Sequence, residues 1–208
     1  MMFLRTLGTL AAFFLLGAPA HAQTTWTGFY AGAHAGYDFG NVKISAGPFA
    51  IDGLAATGPA GGVHAGYDVQ IPGTAIVLGA GAEYSWSGAS FDVSPGLLKA
   101  ELQSAWGLYG RAGFAVGDIM PFVLAGYTQA DAKASAGGGS VGETMKGWFG
   151  GAGLEWRLAP TVSVTAEYRF TRFDSIDLGG VAALDTDMHS VRMGVNVRLG
   201  GGSFEPLK

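Results

Sequence analysis

The chain has 208 residues, enough for one domain or two small ones. Glycine takes 36 positions, 49% of residues are hydrophobic, and only 13% are charged, about half the usual share for a globular domain. Such a chain is too apolar for intrinsic disorder, its glycines keep no collagen period, and a net charge of −4 argues against a nucleic-acid partner. The absence of cysteine removes disulfides, thiolate metal ligands and cysteine nucleophiles together.

Residues 1–22 read as a secretory signal peptide. Arg5 supplies the positive end, residues 7–16 a short apolar stretch, and Ala20-His21-Ala22 a small-x-small cleavage pattern. The expected division is a signal peptide over 1–22, a main domain over 23–200 and a short tail over 201–208. The exported part has no apolar run long enough for a membrane-crossing helix. Only helices and closed β-barrels satisfy every backbone group in lipid, so an exported chain of this hydropathy points to a barrel.

Eight segments alternate apolar and polar residues with period two: 27–40, 61–70, 75–87, 99–116, 120–130, 146–158, 161–172 and 187–199. The pattern is clearest in the seventh, where Val162, Val164, Ala166, Tyr168 and Phe170 alternate with Ser163, Thr165, Glu167, Arg169 and Thr171. In the fifth segment, Phe122 and Leu124 are expected outward. Connections alternate between short (71–74, 117–119, 159–160) and long (41–60, 88–98, 131–145, 173–186). In an antiparallel meander that places all tight turns at one end and all long loops at the other, as in outer-membrane barrels. Outward aromatics should gather in two girdles. Trp26, Phe29 and Trp156 fall near the tight turns; Tyr37, Tyr84, Trp86 and Trp148 fall near the long loops. The fold expected is all-β: an eight-stranded antiparallel up-and-down transmembrane β-barrel.

The segment Trp26-Thr27-Gly28-Phe29-Tyr30-Ala31-Gly32, the Gly-Tyr repeats and the last strand resemble alphaproteobacterial porin-family outer-membrane proteins. These are opacity-type eight-stranded barrels, similar to the transmembrane domain of outer membrane protein A. Arg192, Gly194, Val197 and Leu199 resemble the signal read by the barrel-assembly machinery, with Leu199 where the family carries a terminal phenylalanine. The resemblance implies a Gram-negative outer-membrane location after signal cleavage. It implies lipopolysaccharide and outer-membrane lipids as surroundings, and a monomer.

Eight strands enclose a lumen that side chains just fill. Glu83, Arg111, Glu155, Glu167, Arg169, Arg192, Arg198 and Arg157 carry inward parity and should form a paired charge network. Read as a plug, it is structural; read as a path, it makes a small porin for ions or solutes. The repeats Ala33-His34-Ala35-Gly36-Tyr37-Asp38 and Val63-His64-Ala65-Gly66-Tyr67-Asp68 suggest a register that sets His34 opposite Asp68 and Asp38 opposite His64. Such pairs serve a plug, a pH response or half a metal site. His189 and Ser190 are adjacent and face opposite sides of a strand, so they make no catalytic dyad. Asp174, Asp177, Asp185 and Asp187 lack the spacing of a calcium loop. The expected protein is therefore an integral barrel with a structural or surface-interaction role in the envelope, without enzymatic activity, cofactor or metal.

Overall fold

The computed structural model describes residues 25–46, 49–88, 90–94, 98–136, 139–174, 176–177 and 183–199. The signal peptide, the tail and the side chains of Glu101, Asp177 and Asp185 lie outside them. Ten strands follow in chain order: β1 Gly28–Ala46, β2 Phe49–Gln70, β3 Ile76–Ser87, β4 Ser90–Ser94, β5 Leu98–Phe114, β6 Ile119–Ala136, β7 Gly139–Ala159, β8 Val162–Phe173, β9 Ile176–Asp177 and β10 Ala183–Leu199. β4 extends the β3 side of its hairpin and β9 the β8 side, so eight staves surround the axis. All pair antiparallel, and β1 bonds both β2 and β10, which closes the barrel.

Three tight turns share one end: Ile71 to Ala75, Ala115 to Asp118, and Pro160-Thr161. Gly73 (φ +74°) and Gly117 (φ +62°) sit in the left-handed region that only glycine enters cheaply. In the first turn Thr74 donates through both its amide and its hydroxyl to the Ile71 carbonyl. Phe29 of β1 pairs with Leu199 of β10, so the first and last strands also meet at this end.

At the other end the expected long loops are largely extended strand. β6 and β7 stay in register to Ala136 and Gly139, nine residue pairs beyond Tyr127 and Trp148. At about 3.3 Å per residue, that hairpin reaches roughly 20–30 Å past the upper aromatic ring. Its small and polar residues (Ala130, Ala132, Ala134, Ser135, Ser140) obscured the strand in the sequence, because they carry little hydrophobic contrast to alternate.

The outer face is apolar. Val63, Leu78, Leu108, Val123, Leu154, Val195 and Val197 point outward among alanines. From Ile76 to Trp86 on β3, ten residues tilted by about 40° span roughly 25 Å, the height of a membrane belt. Its upper edge carries contacts between Tyr37 and Phe39, Tyr84 and Trp86, Trp106 and Tyr127, and Trp148 and Phe170. Phe29, Tyr67, Phe114 and Trp156 mark the lower edge.

Two assignments are corrected. Trp26 does not belong to the girdle. It is fully buried and closes the lumen at the tight-turn end, packed with Val77 and Met120. Its indole N–H donates to the Gly117 carbonyl at 3.3 Å, and the Arg157 guanidinium stacks over it at 3.9 Å. The position precedes β1, so strand parity did not govern it. On β6, Phe122 and Leu124 face inward, and Val123 and Tyr127 outward. Both faces of this strand are apolar, so alternation could not choose between them. Bulk decided: the Phe122 ring fills the space that Gly153 leaves open on β7.

Candidate functional site

The lumen is the one enclosed polar region the described residues form, and it is built in layers. Above the Trp26 layer, Asp68 and Glu155 face Arg111 and Arg198. Arg111 clamps Asp68 through Nε (2.8 Å) and Nη2, and reaches Glu155 through Nη1 at 3.0 Å. Arg198 donates to Asp68 at 2.9 Å and to Glu155 at 3.4 Å. Ser163 and Asn196 donate the remaining bonds to Glu155, at 2.6 Å and 3.2 Å. Both carboxylates have no exposed surface, yet each has several charged or neutral donors, which is the condition for tolerating a buried charge.

The next layer is a saddle of small and large residues. Gly66 of β2 and Gly81 of β3 lie opposite each other. Tyr30 of β1 is paired with Gly66, Tyr109 of β5 with Gly81, and each ring lies across its glycine. The two hydroxyls meet at 3.0 Å, and the Arg111 guanidinium stacks 4.3 Å from the Tyr30 ring. A side chain at either glycine would displace a tyrosine. Phe122, Leu124 and Phe149 complete this apolar packing around Tyr109.

Glu83 organises the layer above. Arg169 holds it through both Nη atoms, and Arg192 touches it at 3.4 Å. Arg169 Nε donates to Glu167 at 2.8 Å, and its guanidinium lies 4.2 Å from the Phe149 ring. Arg192 Nε has no hydrogen-bond partner. Beyond this layer, Asp38 accepts from the hydroxyls of Ser87 (2.8 Å) and Ser190 (2.7 Å). Ala130, Met145, Phe173 and Met188 then close the upper end. Among the described residues, five carboxylates (Asp38, Asp68, Glu83, Glu155, Glu167) thus share the lumen with five guanidiniums (Arg111, Arg157, Arg169, Arg192, Arg198), a formally neutral set. A cavity of about 40 Å³ lies among the described residues, bordered by His34, His64, Glu83, Arg169, Arg192 and Asn196. That is room for a few waters.

The expected His–Asp pairs do not form. His34 is opposite Gly62, and His64 is opposite Gly32. Asp68 is opposite Gly28 and binds Arg111 and Arg198; Asp38 binds the two serines. The register differs from the expected one by an even number of residues, so all four side chains still face inward. Bulk again gives the reason: the observed register sets Tyr30, His34 and His64 each against a glycine. The two rings lie 5.6 Å apart at 26°, and their Nδ1 atoms are 3.3 Å apart. His34 Nε2 is 3.2 Å from Ser85 Oγ, and His64 Nε2 is 2.6 Å from Asn196 Oδ1. Sequence reasoning paired no histidine with Ser85, and passed over Tyr30, Tyr109, Ser163 and Asn196. Inward parity was available for each of them. Their partners lie on strands far apart in sequence, and that was not.

Outside the barrel, His189 Nδ1 meets the Tyr168 hydroxyl at 2.6 Å while Ser190 points inward. No cluster of three metal-ligating side chains occurs among the described residues.

The sequence profile of the family described as "Outer membrane protein beta-barrel domain" matches residues 8–198. The "25 kDa outer-membrane immunogenic protein" of Brucella canis is 26% identical over 179 residues, covering 85% of this chain and 80% of that protein. The "22 kDa outer membrane protein" of Rhizobium leguminosarum bv. viciae is 28% identical over 187 residues, covering 87% and 82%. Among solved structures, Neisserial surface protein A superposes with a TM-score of 0.55 at 18% identity, over 83% of this chain and 98% of that one.

Proposed function

Because the chain belongs to the outer membrane protein β-barrel domain family, we propose that it is a plugged, non-conducting barrel whose role is carried by the hairpins it displays. It is an integral outer-membrane protein of a Gram-negative bacterium, with a structural or surface role in the envelope. The observation that carries the plug reading is the neutral set of five carboxylates and five guanidiniums, closed by Trp26 and Met120 at one end and by Met145, Phe173 and Met188 at the other. The charges are held by partners on other strands, so opening an aqueous path would require breaking several buried ion pairs at once. The porin reading requires such a path and has no observation in its favour.

The β6–β7 hairpin supports display, since it projects well beyond the aromatic ring. The description of Brucella relatives as immunogenic fits the same reading. In this proposal the barrel is a monomer, delivered through the barrel-assembly machinery by its last strand. It sits among lipopolysaccharide phosphates at the height of Lys146 and Arg172. In the same reading it carries no catalytic dyad at His189 and Ser190, which face opposite sides of the wall.

The test is a planar-bilayer recording of the refolded barrel, with insertion verified by the heat-dependent gel mobility of a folded barrel. The expected result is no steady conductance above the lipid background. A sustained current proportional to voltage would overturn the plug reading.

A further inference from the structure

We propose that His34 and His64 form a single-proton site inside the barrel, a pair that takes up one proton without losing a hydrogen bond and has no place for a second. The argument begins at Glu155. Its carboxylate lies between Arg111 and Arg198, and the Asn196 atom facing it must be a donor, so Nδ2 points to Glu155 and Oδ1 to His64. An amide oxygen 2.6 Å from His64 Nε2 requires a hydrogen on Nε2. Neutral His64 then has a bare Nδ1, which accepts from His34 Nδ1–H across 3.3 Å. His34 Nε2 is bare in turn and accepts the Ser85 hydroxyl at 3.2 Å. Every tautomer in the chain follows from one carboxylate.

Adding a proton to His34 Nε2 needs only that the Ser85 hydroxyl rotate from donor to acceptor. The Nδ1–H between the rings can then rest on either histidine, so the charge is shared. A second proton would set N–H against N–H across the 3.3 Å gap and break the contact. Asn196 ends the chain on the tight-turn side, because a neutral amide passes no proton on to Glu155. The cavity beside both rings leaves room for a few waters next to the pair.

The groups facing the pair come from every neighbouring element: Tyr30 and Asp38 on β1, Glu83 on β3, Tyr109 and Arg111 on β5, Glu155 on β7, Glu167 and Arg169 on β8, and Arg192 on β10. Glu83, directly opposite His64 in the register, is the nearest counter-charge, but Arg169 and Arg192 already share it. One proton therefore turns the Glu83–Glu167–Arg169–Arg192 layer from neutral to singly positive. The site lets the plug take that charge without unravelling.

The experiment is ¹⁵N NMR of histidine-labelled full barrel in lipid nanodiscs, titrated from about pH 8 to about pH 4, where histidine changes charge. At the high end His34 should carry its hydrogen on Nδ1 and His64 on Nε2. On acidification both rings should move with one shared midpoint and take up one proton between them. His189, on the outer wall, serves as the separate reference. His64→Gln, checked for heat-dependent gel mobility, should shift the His34 midpoint, whereas His189→Gln should leave it in place. Reversed tautomers, two protons taken up, separate midpoints, no change in either ring, or a His34 curve indifferent to His64→Gln would each overturn the proposal.

Discussion

Glu155 tests whether charge pairing stabilises the plug, because four donors converge on it and it has no exposed surface. In Glu155→Ala, Arg111 and Arg198 are left with Asp68 as their shared carboxylate, and the lower layer changes from neutral to singly positive. Removing one member of a buried ion pair costs about 3–5 kcal/mol, chiefly from the orphaned charge. With a denaturant slope of ~2 kcal/mol per molar, the urea midpoint for unfolding in lipid vesicles should fall by roughly 2 M. The double variant Glu155→Ala/Arg111→Met removes one charge of each sign and leaves Asp68 paired with Arg198. If orphaned charge is the cause, the second substitution should restore the midpoint by roughly 1 M, although it also removes the guanidinium stacked on Tyr30. A double variant that is less stable than the single one would refute the reasoning and assign the cost to lost packing.

Two further predictions use the same unfolding measurement. A Cβ at Gly36 would collide with the Val191 carbonyl and lie 2.9 Å from Arg192 Cα, whereas at Gly110 the nearest atom is 3.9 Å away. Gly36→Ala should therefore cost about 1–3 kcal/mol and Gly110→Ala almost nothing; equal effects would contradict the packing described for the β1–β10 wall. Val195 faces outward near mid-height, opposite Ala33 and Val164. Val195→Arg should destabilise the vesicle-inserted barrel by about 2–4 kcal/mol, and a neutral outcome would mean that this face does not meet lipid.

Strand number and outer face were legible in the sequence because each depends on a period of two, which a single strand carries by itself, and closure followed from the need to satisfy every backbone group in lipid. The last strand, β10, shows this best: Val191, Met193, Val195 and Val197 face lipid, and Arg192, Asn196 and Arg198 face the lumen. Three things were not legible. Phe122 and Leu124 sit on a strand with two apolar faces, so period two could not say which face is inside. Trp26 lies outside the strand and takes its place from the open lumen base. The His34 and His64 partners depend on register between strands, which a periodicity cannot see.

Register here follows a different pattern, one of size across strands rather than polarity along them. Tyr30 faces Gly66, His34 faces Gly62, His64 faces Gly32 and Tyr109 faces Gly81. In a lumen this narrow, these rings turn inward where one neighbouring strand offers no side chain. The expected His–Asp register would have matched charges and stacked bulk on bulk; the observed one separates the bulk, and the charges find partners across the axis on distant strands. Long side chains such as Arg111, Arg169 and Arg198 make that possible, since they reach across to strands with which they share no backbone bond. Inward glycines on β1, β2 and β3 thus accommodate the rings in the observed register, and the charge network forms within the geometry they leave.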